Sequence, residues 1–290
     1  MLTDVLMPMY VALDTFSMTE RKDLQFFRLY IHEAIGWSCD LQKTTTNGVV
    51  DPTQAAKNCD RMYQLFSQLT PGHEPLQVLN ATSMSPTCFQ SALVGMTHFG
   101  DDCNTKGDHG RKQDYWSLCN VARQGQFWNF RNWMLRNAGV SMEPPTRHKI
   151  TITKGRGGRI HRMLANMDTF IERTKRQHPE LEVVVAEWET MSIQEQLELI
   201  RTTTVHVTPP GGVSFIAMFL PRWATSIRLY RSDYLMEWHL FHYLGYMTVE
   251  HVDCREGHGH IPVDEAMALI ERSLRRYETF RKTQDPNGWT

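Results

Sequence analysis

From Lys149 to Val252 short apolar runs alternate with longer amphipathic ones. The pattern predicts strands at 149–153, 181–185, 204–207, 225–230 and 247–252, separated by helices at 164–178, 192–202, 213–219 and 233–244. Strands that alternate with helices build right-handed crossovers and a parallel sheet, with ligands expected at the carboxyl ends of the strands. A last helix is expected over Val263–Thr283, with a polar, Arg-rich surface. Upstream the pattern is less regular. Helical stretches are expected at 4–16, 54–68 and 113–138, β-like pieces at Gln77–Leu79 and Ala92–Met96, and a polar loop at 100–113 that reads either as a lid or as a linker. In the 113–138 stretch Trp116, Phe127, Phe130, Trp133 and Met134 supply the apolar face. The segment GVSMEPPTRH, 139–148, carries two prolines that stop a helix, and the domain boundary is placed there. The expected division is an N-terminal domain at 1–143, an α/β domain at 146–262, and a C-terminal helix and tail at 263–290.

Two of the predicted strand ends carry candidate chemistry. After the strand at 149–153 comes KGRGGRIHR, in which Lys154, Arg156, Arg159 and Arg162 surround glycines. Guanidinium groups bind phosphate oxygens as a fork, and glycine removes steric obstruction; the alternative is a solvated basic turn. After the strand at 204–207 comes TPPGGVS. There Gly211 and Gly212 allow a ligand close to the backbone, Pro210 shapes the turn, and Ser214 can cap the following helix or donate to a ligand. Free N–H groups at a helix start favour negative charge, whereas a plain strand-to-helix turn is the alternative. Two such loops in one βα series make phosphate binding the better reading of both.

These residues resemble glycosyltransferase family 61, which includes protein O-linked N-acetylglucosaminyltransferases and plant xylan xylosyl- and arabinosyltransferases. The resemblance rests on several short motifs in one order: TKGRGGRIHRMLAN, HPELEVVVAEWETMSIQEQLELI, VHVTPPGGVS, FIAMFLP, ATSIRLY and FHYLGYMTVEHV. It is looser in the first half, at CFQSALVGM and FRNWMLRNAGV. The chain departs from the family pattern at Pro210, where the family has His, at Val213, where it has a small residue, and at Arg228, where it often has Glu. MLTDVLMPMYVAL is similar to a family helix whose leading His would lie before Met1, so the chain is expected to be truncated at its N-terminus.

The resemblance implies a GT-B type α/β fold of two Rossmann-like domains, the first incomplete, and an inverting transfer of sugar from a UDP-sugar to a glycan or protein hydroxyl. It implies no cofactor or metal and a Golgi or endoplasmic reticulum setting. Arg156 and Arg159 are the expected diphosphate ligands, with Lys154 and Arg162 as alternates and Pro210, Gly211, Gly212 and Ser214 around the donor. The same resemblance makes Asp4 the candidate base, set against a helix-capping role for it. Asp233 and Glu237 are candidates for sugar hydroxyls, against the reading of a solvated helix face.

Composition changes this picture little. Hydrophobic residues at 41% and charged ones at 22% are ordinary globular values, and a net charge of −1 lacks the basic excess of a general nucleic-acid binder. No apolar run reaches the roughly 18–20 residues of a membrane span. The six cysteines form no C-x-x-C pair. Five of them lie in the first half with one sequon at Asn80–Thr82, a pattern compatible with lumenal disulfides. His258-Gly259-His260 lacks companion ligands at matching spacing and reads as a surface loop. Two alternatives remain: a non-catalytic relative that binds nucleotide or glycan, and an unrelated α/β phosphate-binding enzyme such as a kinase or phosphatase. The second is disfavoured because neither glycine loop has the P-loop spacing.

Overall fold

The computed structural model describes residues 10–11, 13–14, 17–20, 27–30, 45–46, 49–50, 77–80, 124–154, 164–210, 212–230, 241, 244–254 and 259–284. The chain divides into two compact units, residues 8–96 and residues 97–290 together with 1–7. In the smaller unit β1 (Phe27–Tyr30) pairs in parallel with β4 (Gln77–Asn80), and β2 (Thr45–Thr46) pairs antiparallel with β3 (Val49–Val50). The strand expected at Gln77–Leu79 is therefore present. The helix expected at 54–68, the strand at 92–96 and the loop at 100–113 lie outside the described residues.

The larger unit opens with α1 (Gln124–Asn137), the described part of the helix expected over 113–138. Phe127, Phe130, Trp133, Met134 and Leu135 are buried along it. Its C-terminus is a Schellman turn: Val140 N–H returns to Leu135 O (2.9 Å), Gly139 N–H to Arg136 O (3.0 Å), and Gly139 takes a φ of +67°. Then β5 (Lys149–Thr153), α2 (Met167–Gln177), β6 (Glu182–Ala186), α3 (Ile193–Arg201), β7 (Val205–Thr208), a 3-10 helix (Gly212–Phe219), β8 (Thr225–Tyr230), β9 (Thr248–Asp253) and α4 (Val263–Gln284) follow. The five strands form one parallel sheet in the order β6-β5-β7-β8-β9. This is a doubly wound, Rossmann-like arrangement. Its order reverses between β5 and β7, so the crossover through α2 leaves in the opposite direction to the one through α3 and lies on the other face.

The two faces differ in chemistry. Ile150, Ile152, Val205, Val207, Ile227, Leu229 and Val252 form one face and pack with Phe170 and Ile171 of α2 and with Met267 and Ile270 of α4. Thr151, His206 and Ser226 share one register line on the other face, with Thr208 and Arg228 on the next, and all five are buried. The Thr/Ile alternation of KITIT thus separates an apolar core from a buried polar layer.

Three findings refine the sequence expectation. The helix expected at 213–219 is present as a 3-10 helix, Gly212–Phe219. With a rise of ~2.0 Å per residue against ~1.5 Å, the 3-10 form spans more of the return path along the sheet before Pro221 ends it. Upstream of 139–148, α1 packs on the 3-10 helix through Phe130 and Phe219, whose rings are 6.4 Å apart. The last helix, α4, packs into the apolar core through Ala266, Met267, Leu269 and Ile270. Most of the helix expected at 233–244 lies outside the described residues.

Two glycines of α1 test this local reading. A Cβ at Gly139 meets nothing within 4 Å, so only the left-handed backbone resists it; Gly139→Ala should lower unfolding free energy by ~1 kcal/mol. Gly125, in the first turn, is equally open and has no positive φ. Gly125→Ala should raise stability by ~0.5–1 kcal/mol. Urea denaturation of both variants gives the sign, and equal signs would refute the cap assignment.

Candidate functional site

At the carboxyl ends of β5 and β7, neighbours on either side of the order reversal, the two glycine-containing loops start side by side. In an open parallel sheet this position forms a crevice, because the connections that follow the two strands depart to opposite faces. Lys154 lies directly after β5, exposed, with its Nζ 2.6 Å from Asp168 Oδ1. A solvated pair of this kind is worth at most ~1 kcal/mol, so the ammonium is readily redirected to another anion. Pro210 is buried after β7, and Gly212 opens the 3-10 helix.

Ser214 is completely buried inside that helix rather than standing at its mouth. Its carbonyl accepts a hydrogen bond from Arg228 Nη1 at 3.2 Å. The neighbouring Val213 is 37% exposed. Arg228, on β8, is itself buried, with its guanidinium 4.1 Å from the centre of the Phe241 ring. Asp4, Arg156, Arg159, Arg162, Gly211, Asp233 and Glu237 lie outside the described residues. The structure therefore brings Lys154, Pro210, Gly212 and Ser214 to one edge of the sheet, with Ser214 below the surface.

A buried polar relay, absent from the sequence reading, lies beneath the crevice. Trp188 Nε1 donates to Thr153 Oγ1 at 2.8 Å, and Thr153 Oγ1 lies 3.0 Å from His206 Nε2. Because an indole can only donate, Thr153 Oγ1 accepts from Trp188 and bridges it to the imidazole of His206. Trp188 is in turn held by its carbonyl, which accepts from Gln196 Nε2 at 2.7 Å. The same amide reaches Met191 O at 3.1 Å. Ser192 and Glu195 close a capping box at the start of α3: Glu195 N–H donates to Ser192 Oγ (3.2 Å), and Ser192 N–H donates to Glu195 Oε2 (2.6 Å). The backbone N–H of Ser192 lowers the pKa of the Glu195 carboxyl. Ser192, Glu195 and Gln196 of the S-x-x-E-Q segment thus hold Trp188, and through it the ends of β5 and β7.

Asn166 has a comparable framing role. Its Nδ2 donates to Ile261 O at 2.9 Å and its Oδ1 accepts from Ile261 N–H at 2.7 Å, tying the start of α2 to the turn before α4. The signal for the relay was present in the sequence as polar residues at alternate positions of strands that are buried on both faces. Its partners became visible only with the register.

Among the described residues, no group of three or more His, Cys, Asp or Glu side chains is placed to hold a metal ion, and no helix is long and apolar enough to cross a membrane. Of the six cysteines only Cys254 is described; it is a buried free thiol whose pKa is pushed up to about 12, chiefly by burial.

A doubly wound parallel sheet, with a basic loop and a glycine loop starting from adjacent strand ends at its order reversal, defines a Rossmann-like α/β protein. The chain belongs to the family described as Glycosyltransferase 61, whose model matches residues 25–227, well over half of its length. The match takes in both loops and ends inside β8, one residue before Arg228. Among curated proteins none matches the chain. Family membership makes the chain a glycosyltransferase at the level of class, with a sugar donor and an acceptor as its substrates.

His206 gives the site a pH signature. Burial, reinforced by the positive charge of Arg228, holds its pKa well below the ordinary 6.5. The unfolded histidine takes up a proton below pH 6.5 while the folded one does not, so the stability due to its neutral burial is present above 6.5 and is lost as pH falls, by ~1.4 kcal/mol per pH unit. His206→Gln should remove about one proton from the slope of unfolding free energy against pH between 6.5 and 5. Urea denaturation across that range measures it, and an unchanged slope would show that the imidazole is solvated.

Proposed function

We propose that the protein is an inverting glycosyltransferase that moves a sugar from a UDP-sugar to a hydroxyl of a glycan or protein. The observation that carries this reading is that β5 and β7, from whose carboxyl ends the basic and glycine loops start, are neighbours at the order reversal of the sheet, in a chain of this family. In such a reaction the acceptor oxygen attacks the anomeric carbon as the bond to the diphosphate breaks. The acceptor proton passes to a base, and UDP leaves with the bonding electron pair. The leaving charge must be met by fixed cations and N–H groups. In this reading Arg156 and Arg159 bind the diphosphate, with Lys154 and Arg162 beside them. Pro210, Gly211 and Gly212 form the opposite wall, and Ser214 sets the helix start from below. Asp4 is the base, and Asp233 and Glu237 bind sugar hydroxyls.

The finer features proposed are a GT-B arrangement of two Rossmann-like domains, chemistry without a metal, and a place in the Golgi or endoplasmic reticulum. Four cations in one short loop support metal-free chemistry, since they can meet the diphosphate charge without a divalent ion. The sequon at Asn80 and the cysteines of the first half support a lumenal setting.

A second reading, a relative that binds nucleotide or glycan without turnover, is favoured by one feature. Pro210 is a buried proline where the family has a histidine, so neither an imidazole nor a backbone N–H is offered there.

Calorimetric titration with UDP in the presence of chelator, with GDP and ADP as controls, tests the donor site. Selective UDP binding is expected, with Arg156→Ala and Arg159→Ala each weakening it by ~1.5–3 kcal/mol, roughly 10- to 150-fold. Unchanged affinity in both variants would overturn the assignment. A strict manganese requirement would overturn the metal-free reading, and UDP binding without hydrolysis or transfer across a panel of UDP-sugars would favour the second reading.

A further inference from the structure

The 3-10 helix Gly212–Phe219 carries the glycine loop at one end and stops abruptly at the other. Its i+3 hydrogen bonding runs as far as Leu220 N–H to Ala217 O at 3.1 Å. The next bond in that series would run from residue 221 to Met218 O, but residue 221 is proline and has no N–H. The donor two residues later, Trp223 N–H, does not return to Leu220 O but goes to Tyr246 O at 2.7 Å. Trp223 itself sits in the left-handed region with a φ of +63°, a conformation that a bulky side chain adopts only when its surroundings impose it. Two carbonyls at a buried helix end thus lose the backbone donors that the i+3 pattern would supply, and buried carbonyls need replacements.

Side chains from elsewhere in the chain supply them. Tyr246 Oη donates to Met218 O at 2.6 Å, and Arg131 Nε of α1 donates to Leu220 O at 2.8 Å. Arg131 is 3% exposed, and its guanidinium also donates to Asn132 Oδ1 at 2.9 Å. It lies 4.6 Å from the centre of the Trp128 ring, which is 5.0 Å from the Tyr246 ring. Burial lowers the Arg131 pKa to about 10, so the group remains charged at neutral pH. A cation at a helix C-terminus also complements the partial negative charge there. At the other end Arg228 holds Ser214 O. The helix is therefore gripped at three carbonyls by side chains of α1, β8 and the segment before β9.

We infer that Arg131 and Tyr246 are positioning residues for the glycine loop: by replacing the donors lost at Pro221 and Trp223 they fix the far end of the 3-10 helix, and with it the position of Gly212, where the loop enters the helix. This rests on the donor-site reading above. The clamp sits at the end of the helix remote from the ligand, so neither side chain touches substrate.

Hydrogen exchange read by mass spectrometry on the full chain, with UDP titration in parallel, tests the inference on Arg131→Met, Arg131→Lys and Tyr246→Phe. Tyr246→Phe removes one hydroxyl and keeps the ring, so it preserves the packing with Trp128. About tenfold faster exchange is expected in peptides covering 212–220, the scale of one hydrogen bond to a buried carbonyl, with β5 and β7 peptides unchanged. UDP affinity should fall by about tenfold in Arg131→Met and Tyr246→Phe and recover in part in Arg131→Lys. Wild-type exchange at 212–220 in both Arg131→Met and Tyr246→Phe would overturn the clamp. Uniformly faster exchange across the sheet would also overturn it, reducing both residues to general stability. Local acceleration with unaltered UDP affinity would overturn the link to the loop. Failure of the wild-type chain to bind UDP would refute the donor reading instead, and the exchange arm would then decide the clamp on its own.

Discussion

The reversal of strand order between β5 and β7 is the constraint on which the rest of the larger unit depends. A parallel sheet wound in one direction covers only one face. Reversal sends α2 to one side and α3 with the 3-10 helix to the other, which buries both faces and opens a crevice at the carboxyl edge. The side-by-side register of Ile150 with Val205 and Ile152 with Val207 brings together two loops that are separated by more than one βα unit in the chain. The carboxyl ends of β5 and β7, from which both loops start, are neighbours in the fold for that reason.

Burying a polar sheet face carries a cost unless every group finds a partner. Here part of the layer is partnered, while His206 Nδ1 and Ser226 Oγ make no hydrogen bond among the described residues. Trp188, Thr153 and His206 link β5 to β7, Thr151 Oγ1 lies 2.6 Å from Thr203 Oγ1 after α3, and Arg228 reaches Ser214 O. Several residues by which the chain resembles its family serve this frame. Ser192 and Glu195 cap α3, Gln196 holds Trp188, and Asn166 fastens α2 to the turn before α4. These motif residues thus hold the strands from which the two loops spring.

The departures from the family pattern acquire a physical setting. Pro210 is buried at the end of β7, so the position shapes the turn instead of offering an imidazole. Arg228 is folded under the 3-10 helix against Phe241, where its charge acts on His206 and on the helix backbone. Replacing a carboxylate by a cation at that position changes what holds the helix from beneath.

The order of strands and helices, the location of the loops at strand ends and the mixed apolar and polar alternation were legible in the chain, because hydrophobic period and turn residues act locally. KITIT, VHVT and TSIRLY became β5, β7 and β8 within a residue of their expected limits. The family was legible for a related reason, since its motifs are short and occur in order. Tertiary structure alone decided the strand order, the 3-10 form of the helix after the glycine loop, the membership of α1 and α4 in the sheet unit, and the pairing of Trp188, Thr153 and His206. Each of these joins segments distant in the chain, and which polar group meets which carbonyl is settled by register and packing, quantities to which no single segment has access.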